Sequence, residues 1–467
     1  MAEDRALREN KMGIAPIGGL ILTMSTMPMI SMLMNALYNI VESAFVARIS
    51  QDGMVAITLV LPVQMILINM GTGSGIGTSS LIARRLGAGR QAEANRAASH
   101  GIVIAFANWA IFALFGLFLA KPFLDFFTDN PVVLEGAVLY CRVVTIGSLF
   151  AFIVLAVEKI LQATGNMLFP MIFNLSGAVL NTLLSPVLIL GLFGLPQLGV
   201  KGAAIACIVS QFTAMCLALF FLLAFKHYVK PSLKGFRVDF KILRDIYAVG
   251  FPTIVNMSMV SVMTMALNKI VIFYGSDVSG AVLGAYFRLN SFAFMPIFGM
   301  SQGTMPIHGY NFGARNKARL LKAYKTSVTL ALCVMGVMTA VFWIFPAQLM
   351  GIFSPSPEML EIGVPALRII SLGFLPGAYA VATSCLFQGL AHGFMSLAVS
   401  LVRQLVMTVP LAWLFMRFIG VTGVWWSVVI AEFIATIIVA GFYRRIYRIE
   451  IKDLDKKKPA ARGGAGE

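Results

Sequence analysis

A chain of 467 residues that is 59% hydrophobic and only 12% charged, with a mean hydropathy of +0.86, is not an ordinary water-soluble globule. Its net charge of +16 invites a nucleic-acid reading, but the Lys and Arg cluster in short segments between long apolar blocks, where they report membrane orientation instead. The blocks lack the alternating polarity of strands about ten residues long, which excludes a membrane β-barrel.

The opening MAEDRALRENK is charged in both signs and has no small-residue cleavage pattern, so the sequence predicts no removable signal peptide. A helix needs roughly 20 apolar residues to cross hydrocarbon. On that rule twelve spans are predicted, over 14–46, 54–83, 97–119, 132–160, 167–193, 202–225, 246–274, 280–306, 326–346, 361–388, 394–418 and 422–443. Between the second and third lie Arg84, Arg85, Arg90 and Arg96. Between the sixth and seventh lie Lys226, Lys230, Lys234, Arg237, Lys241 and Arg244, and between the eighth and ninth Arg315, Lys317, Arg319, Lys322 and Lys325. The opposite loops carry Arg48, Lys121, Lys201 and Arg417. The positive-inside rule places the richer side and both termini in the cytoplasm of a multi-pass plasma (inner) membrane protein. Residues 1–13 read as a cytoplasmic segment and 448–467, ending DLDKKKPAARGGAGE, as a disordered basic tail.

The halves repeat. Leu86-Gly87-Ala88 matches Phe312-Gly313-Ala314 at an offset of 226, and Phe127, Pro131, Leu134, Glu135, Arg142, Gly147 and Gln162 match Phe353, Pro357, Leu360, Glu361, Arg368, Gly373 and Gln388 at that same offset. LGVKGAAIACIVSQF (198–212) then matches IGVTGVWWSVVIAEF (419–433) after a few deleted residues. The expected fold is all-α and integral to the membrane, with twelve transmembrane helices in two pseudo-twofold-related six-helix lobes around a central cavity. The lobes would be 14–225 and 246–447, joined by a basic cytoplasmic linker at 226–245 whose Lys-Pro-Ser-Leu-Lys-Gly run suits a flexible tether.

LYNIVESAFVARIS (37–50), Asn181-Thr-Leu-Leu-Ser185-Pro186, LGVKGAAIACIVSQ (198–211), GMSQGTMPIHGYNFGARN (299–316), RQLVMTVP (403–410) and GVTGVWW (420–426), in this order, resemble the multidrug and toxic compound extrusion (MATE) family of the multidrug, oligosaccharidyl-lipid and polysaccharide flippase group. The resemblance covers nearly the whole chain. It implies two lobes and a cavity open to one side at a time. The family usually places an aspartate in helix one where this chain has Glu42, and another in helix five where it has Ser185. The resemblance therefore carries coupling to Glu42 and Asn181, with proton or sodium as the ion and no other cofactor.

Helix one sets Ser31, Asn35, Tyr38, Asn39 and Glu42 at steps of three and four, which makes one polar face. A carboxylate at the bilayer centre costs at least about 2.5 kcal/mol, so such a group usually faces a bundle interior or water. Helix five offers Asn174, Gly177, Asn181 and Ser185, and its amide and hydroxyl could complete a cation-ligating network with Glu42 and Asn39; interhelical packing is the bland alternative. A possible sodium would sit at Glu42 and Asn181. Glu158 and Lys159 read as a gate salt bridge or as snorkelling side chains. Arg288 and Arg403 read as cavity wall or interlobe lock, and Glu432, which aligns with Gln211, as packing. Met257 and Met263, with Asn35, Tyr38 and Arg288, would line an adaptable substrate cavity. The run Gly71-Thr-Gly-Ser-Gly-Ile-Gly77 lacks the closing GK[ST] of a nucleotide loop and reads as a close-packing segment. The five cysteines and four histidines show no metal spacing.

The function expected is ion-coupled antiport of small amphipathic compounds, cationic among them, by a monomer in a lipid bilayer, with no nucleic-acid partner. A flippase for a lipid-linked precursor is the runner-up, kept open by Arg288, Arg403 and Lys269. A membrane-embedded lipid-modifying enzyme ranks below both for want of a catalytic constellation. In a cysteine-free background, a single cysteine at Gln91 or Asn316 should escape a membrane-impermeant maleimide added to intact cells. Efficient external labelling at either position would reverse the orientation.

Overall fold

In the computed structural model the described residues are 10–46, 51–194 and 196–456, with backbone alone for 35–46, 51 and 193. Among them the helices are α1 (Lys11–Ile14), α2 (Ile17–Val46), α3 (Gln51–Gly87), α4 (Gln91–Leu114), α5 (Ala120–Asp125), α6 (Pro131–Ala163), α7 (Leu168–Leu190) and α8 (Gly199–Ala224) in the first half. The second half holds α9 (Phe240–Tyr274), α10 (Asp277–Gly313), α11 (Lys317–Ile344), α12 (Pro346–Gly351), α13 (Pro357–Ser371), α14 (Phe374–Gly389), α15 (Gly393–Leu401), α16 (Val409–Ile419) and α17 (Val421–Ile446). Eleven helical stretches among the described residues are long and apolar enough to cross a membrane, and the bent pair α13 and α14 makes a twelfth when counted as one span.

The repeat in the sequence reappears in the element bounds. Gly87 and Gly313 end α3 and α10, Gln91 and Lys317 open α4 and α11, Pro131 and Pro357 open α6 and α13, and Ala163 and Gly389 end α6 and α14, each pair 226 residues apart. Local chemistry sets these bounds. Asn130 accepts the free amide hydrogens of Val132 and Val133 ahead of Pro131, and Ser356 accepts that of Met359 ahead of Pro357.

Several expectations are corrected. The tenth span, 361–388, is two helices bent by 46°, because Pro376 cannot donate to the carbonyl of Leu372 and Gly373 closes the first helix with a short bond to Ile370. The seventh helix starts at Phe240, inside the expected linker, where Asp239 Oδ1 accepts from Lys241 N at 2.9 Å. The linker ahead of it is pinned and not a loose tether: Lys230 N and Ser232 N donate to Asn95 Oδ1 and Ser99 Oγ of α4 at 3.0 and 2.9 Å. The tail is ordered as far as Lys456. Ile451 and Leu454 are buried, Lys317 Nζ donates to the Lys452 carbonyl at 2.7 Å, and His392 meets Glu450 at 2.9 Å; 457–467 lie outside the described residues.

The chain forms two compact units. The first contains Ile30–Ile82 and Arg90–Gly250, with a core around Val60, Phe112, Tyr140 and Phe152. The second contains Lys11–Met29, Ala83–Gly89 and the chain from Phe251, with a core around Leu283, Phe294, Phe374 and Trp425. The opening part of α2 thus belongs with the second unit, where the sequence division had placed all of helix one in the first lobe. Glycines permit this: Gly299 and Gly303 of α10 lie on the backbone at Met29 and Met24. Arg319 fixes α1 beside them, donating to the carbonyls of Met12 and Ala15 at 3.1 and 2.8 Å.

A β-carbon at Gly87 would overlap the Tyr310 carbonyl oxygen, and one at Gly313 the Arg84 carbonyl oxygen, both of them backbone atoms that cannot swing aside. Gly336 and Gly441 face open space. Gly87→Ala and Gly313→Ala should each cost about 1–3 kcal/mol and lower the melting temperature of the purified protein. Gly336→Ala and Gly441→Ala should leave it unchanged or raise it. Equal melting of all four variants would contradict the close crossing.

Candidate functional site

The first unit buries a charged network where α6 meets α7. Glu158 and Lys159 are neighbours in sequence, yet their side chains are only 10% and 3% exposed. Lys159 Nζ lies 2.8 Å from Glu158 Oε1 and donates to Gln162 Oε1 at 3.0 Å. Gln162 Nε2 donates to the same carboxylate oxygen at 2.9 Å, and Asn174 Nδ2 of α7 donates to the other at 2.9 Å. Both oxygens of Glu158 are therefore engaged, as hydrocarbon requires of a buried charge. The Gly run of α3 makes room for this: a β-carbon at Gly75 would press on Cγ of Lys159. The close-packing reading of 71–77 thus has a specific object, and snorkelling is ruled out for Lys159.

The polar face expected on helix five divides. Asn174 turns to Glu158, while Asn181 and Ser185, one turn apart and both buried, form their own pair with Ser185 Oγ donating to Asn181 Oδ1 at 3.3 Å. Asn35, Tyr38, Asn39 and Glu42 lie on the helical backbone of α2, but their side chains fall outside the described residues.

The second unit has a charged pair of its own. Arg403 Nη1 donates to Glu432 Oε1 and Oε2 at 3.1 and 3.4 Å, with side chains 21% and 15% exposed. Glu432, expected to be a packing residue, is ion-paired, and the partner of Arg403 lies within its own unit. Arg403 sits in a π-helical stretch, Val402–Thr408, that precedes Pro410. Pro410 has no hydrogen for the Val406 carbonyl, and Thr408 Oγ1 donates to the Arg403 carbonyl at 2.6 Å. Gly373 and Gly377, at the bend between α13 and α14, lie against the Glu432 side chain, where a β-carbon at Gly377 would come 3.2 Å from Oε2. Next to Arg403, buried Gln404 donates to Asn256 Oδ1 at 3.3 Å. Met257 is half-buried, Met263 packs against the core of the unit, and Arg288 is exposed without an ion pair among the described residues.

Sequence reasoning missed Gln162, Gln404 and Asn256 as network members and misjudged Glu432 by its repeat mate Gln211. A signal was present: Arg403 and Glu432 are opposite charges on consecutive apolar spans, where an unpaired charge is too costly to keep.

Removing one partner of a buried pair strands the other charge, typically at about 3–5 kcal/mol. Lys159→Met should therefore lower the melting temperature more than the double variant Glu158→Gln/Lys159→Met does. Additive losses in the double variant would show that the two side chains are not coupled.

The MatE family profile matches residues 28–187 and 252–414, which takes in most of both halves. The multidrug export protein MepA of Staphylococcus saprophyticus is 27% identical over 417 residues, 88% of this chain and 89% of MepA. The probable multidrug resistance protein YoeA of Bacillus subtilis is 24% identical over 402 residues, 85% of this chain and 87% of its own length. Among solved structures, MATE in complex with MaD3S superposes with a TM-score of 0.88 at 28% identity, covering 97% of this chain and 99% of that one. A MOP-superfamily transporter from Pyrococcus furiosus, described as having a binding pocket of reversed polarity that suggests a different function, gives 0.87 at 27% identity, covering 97% and 98%. With its membrane-spanning helices in place and the profile matching in both repeats, the chain belongs to the MatE family and is a membrane transporter, not an enzyme.

Proposed function

We propose that the protein is an antiporter of the plasma membrane that exports small amphipathic compounds, cationic ones among them, in exchange for protons or sodium by alternating access. The observation that carries this reading is the likeness, over nearly the full length of both chains, to proteins named for multidrug export, MepA among them. Both termini face the cytoplasm, in keeping with the charge bias, and the working unit is a monomer.

Coupling needs a membrane-embedded acid whose charge changes with the ion bound; in this reading Glu42 fills that role, and Asn39, Asn181 and Ser185 supply the further donors and acceptors. Glu158 is the second choice. Its carboxylate is saturated by Lys159, Gln162 and Asn174, which suits a fixed structural charge better than one exchanged in each cycle. The runner-up, a flippase for a phosphate-bearing lipid precursor, is favoured by Arg288 and Lys269, exposed cations within spans that have no acidic partner among the described residues.

If one face of α2 holds either ion or substrate, each lowers the other's affinity by the same factor. Glu42→Gln, which fixes the neutral form, should leave the protein folded and inserted and abolish gradient-driven accumulation in proteoliposomes while passive exchange persists. Glu42→Asp should retain part of the activity. Full gradient-driven transport by Glu42→Gln across the pH range would remove Glu42 from the mechanism and shift attention to Glu158→Gln.

A further inference from the structure

The segment joining α8 to α9 folds back on the first turns of α4 along a stripe with helical spacing. Gln91 Nε2 donates to the Tyr228 carbonyl, Asn95 Oδ1 accepts from Lys230 N at 3.0 Å, and Ser99 Oγ accepts from Ser232 N at 2.9 Å while donating to the Ser232 carbonyl at 3.0 Å. His100, one residue on and almost fully buried, donates from Nδ1 to its own helix at Arg96 and accepts at Nε2 from Asp239 N at 2.9 Å. Phe236 lies tilted over its ring at 4.7 Å between centroids. Five hydrogen bonds between the linker and α4 thus hold a chain segment that its composition would leave loose.

Between the pinned points the linker and α4 line an open cavity of about 850 Å³, within the range that holds small molecules. Arg96 stands on the α4 side, and Lys230, Lys234, Arg237 and Lys241 on the linker side, with His100 in the floor. None of these five cations has an ion pair among the described residues. The one carboxylate in the lining, Asp239, is occupied with the amides of Lys241 and Ile242 that open α9. Five like charges around one concave space repel one another and raise the local potential for an anion. The positive-inside bias accounts for cations on this side of the membrane, but not for their convergence on a cavity whose walls are held together by five hydrogen bonds, three of them part-buried.

We propose that this cavity binds a multiply charged phosphate, either the headgroup phosphate of an anionic phospholipid or a free phosphate compound of the cytoplasm. Bound there, the phosphate oxygens bridge Arg96 of α4 to the linker cations and tie the two segments more firmly. Guanidinium and ammonium groups supply charge-assisted hydrogen bonds that a neutral headgroup cannot accept as strongly.

The test uses the full-length protein in nanodiscs. Inorganic pyrophosphate is titrated at fixed ionic strength with melting temperature as the readout, and nanodiscs of phosphatidylglycerol are compared with phosphatidylcholine. The variant Lys230→Gln/Lys234→Gln/Arg237→Gln removes three exposed cations, and Arg444→Gln/Arg445→Gln lowers the net charge elsewhere as a control. Saturable stabilisation of the wild type by pyrophosphate, weakened about tenfold or more in the triple variant but not in the control, supports a free phosphate ligand. Stabilisation by phosphatidylglycerol alone, lost in the triple variant, supports the lipid. The single variant Lys234→Gln gives the same reading in smaller measure should the triple variant fold poorly. If the triple variant and the control respond alike to both probes, or the wild type responds to neither, the site is refuted.

Discussion

Hydrocarbon offers no water to a charge or to a free backbone group, and each one left unpaired there costs several kcal/mol. That constraint governs both units. In the first, Glu158 and Lys159 are admitted to the interior because Gln162 and Asn174 complete their hydrogen bonding and Gly75 leaves space for the lysine stem. In the second, Arg403 and Glu432 are admitted as a pair. A Lys or Glu in these positions without its partner would be pulled toward the interface or would break the packing around it.

The backbone irregularities follow the same logic. The bend at Gly373 and the π-helical stretch at Val402–Thr408 arise from proline residues that lack a hydrogen, and both lie at the Arg403–Glu432 pair. One supplies glycines on which the carboxylate rests and the other re-aims the arginine. At the corresponding place in the first half, Gly147 stands where the second has Gly373, but Phe150 replaces Pro376 and α6 runs unbroken from Pro131 to Ala163. The repeat thus keeps length and register, while among the described residues the bend, with the Arg403–Glu432 pair seated against it, belongs to the second half.

Much of the fold was legible. Apolar run length located the spans, and residues that match at the 226-residue offset, Gly87 with Gly313 and Pro131 with Pro357, stand at helix ends in the structure, although the expected spans stopped at 83 and 306 and began at 132 and 361. Helix ends were called short because polar residues such as Arg84, Arg85 and Lys317 continue the helices beyond the apolar run, held by contacts that hydropathy does not register. The order of the tail to Lys456 and the pinned linker rest on single hydrogen bonds and buried side chains such as Ile451 and His100, which a polar composition conceals. At the site, periodicity identified Asn174, Asn181 and Ser185 as one face, but could not show that Asn174 turns to Glu158 while Ser185 bonds to Asn181.

The central proposal is that export is driven by an ion moving the other way through a protein in which Glu158 is paired with Lys159 and Arg403 with Glu432. It is tested most directly with the purified protein in proteoliposomes, imposing pH and sodium gradients separately and following a hydrophobic cation together with each gradient. The account predicts that adding the cation dissipates one of the two gradients, and that the cation accumulates only when that gradient is present. Equal cation movement with and without either gradient, and no substrate-dependent loss of either, would contradict it.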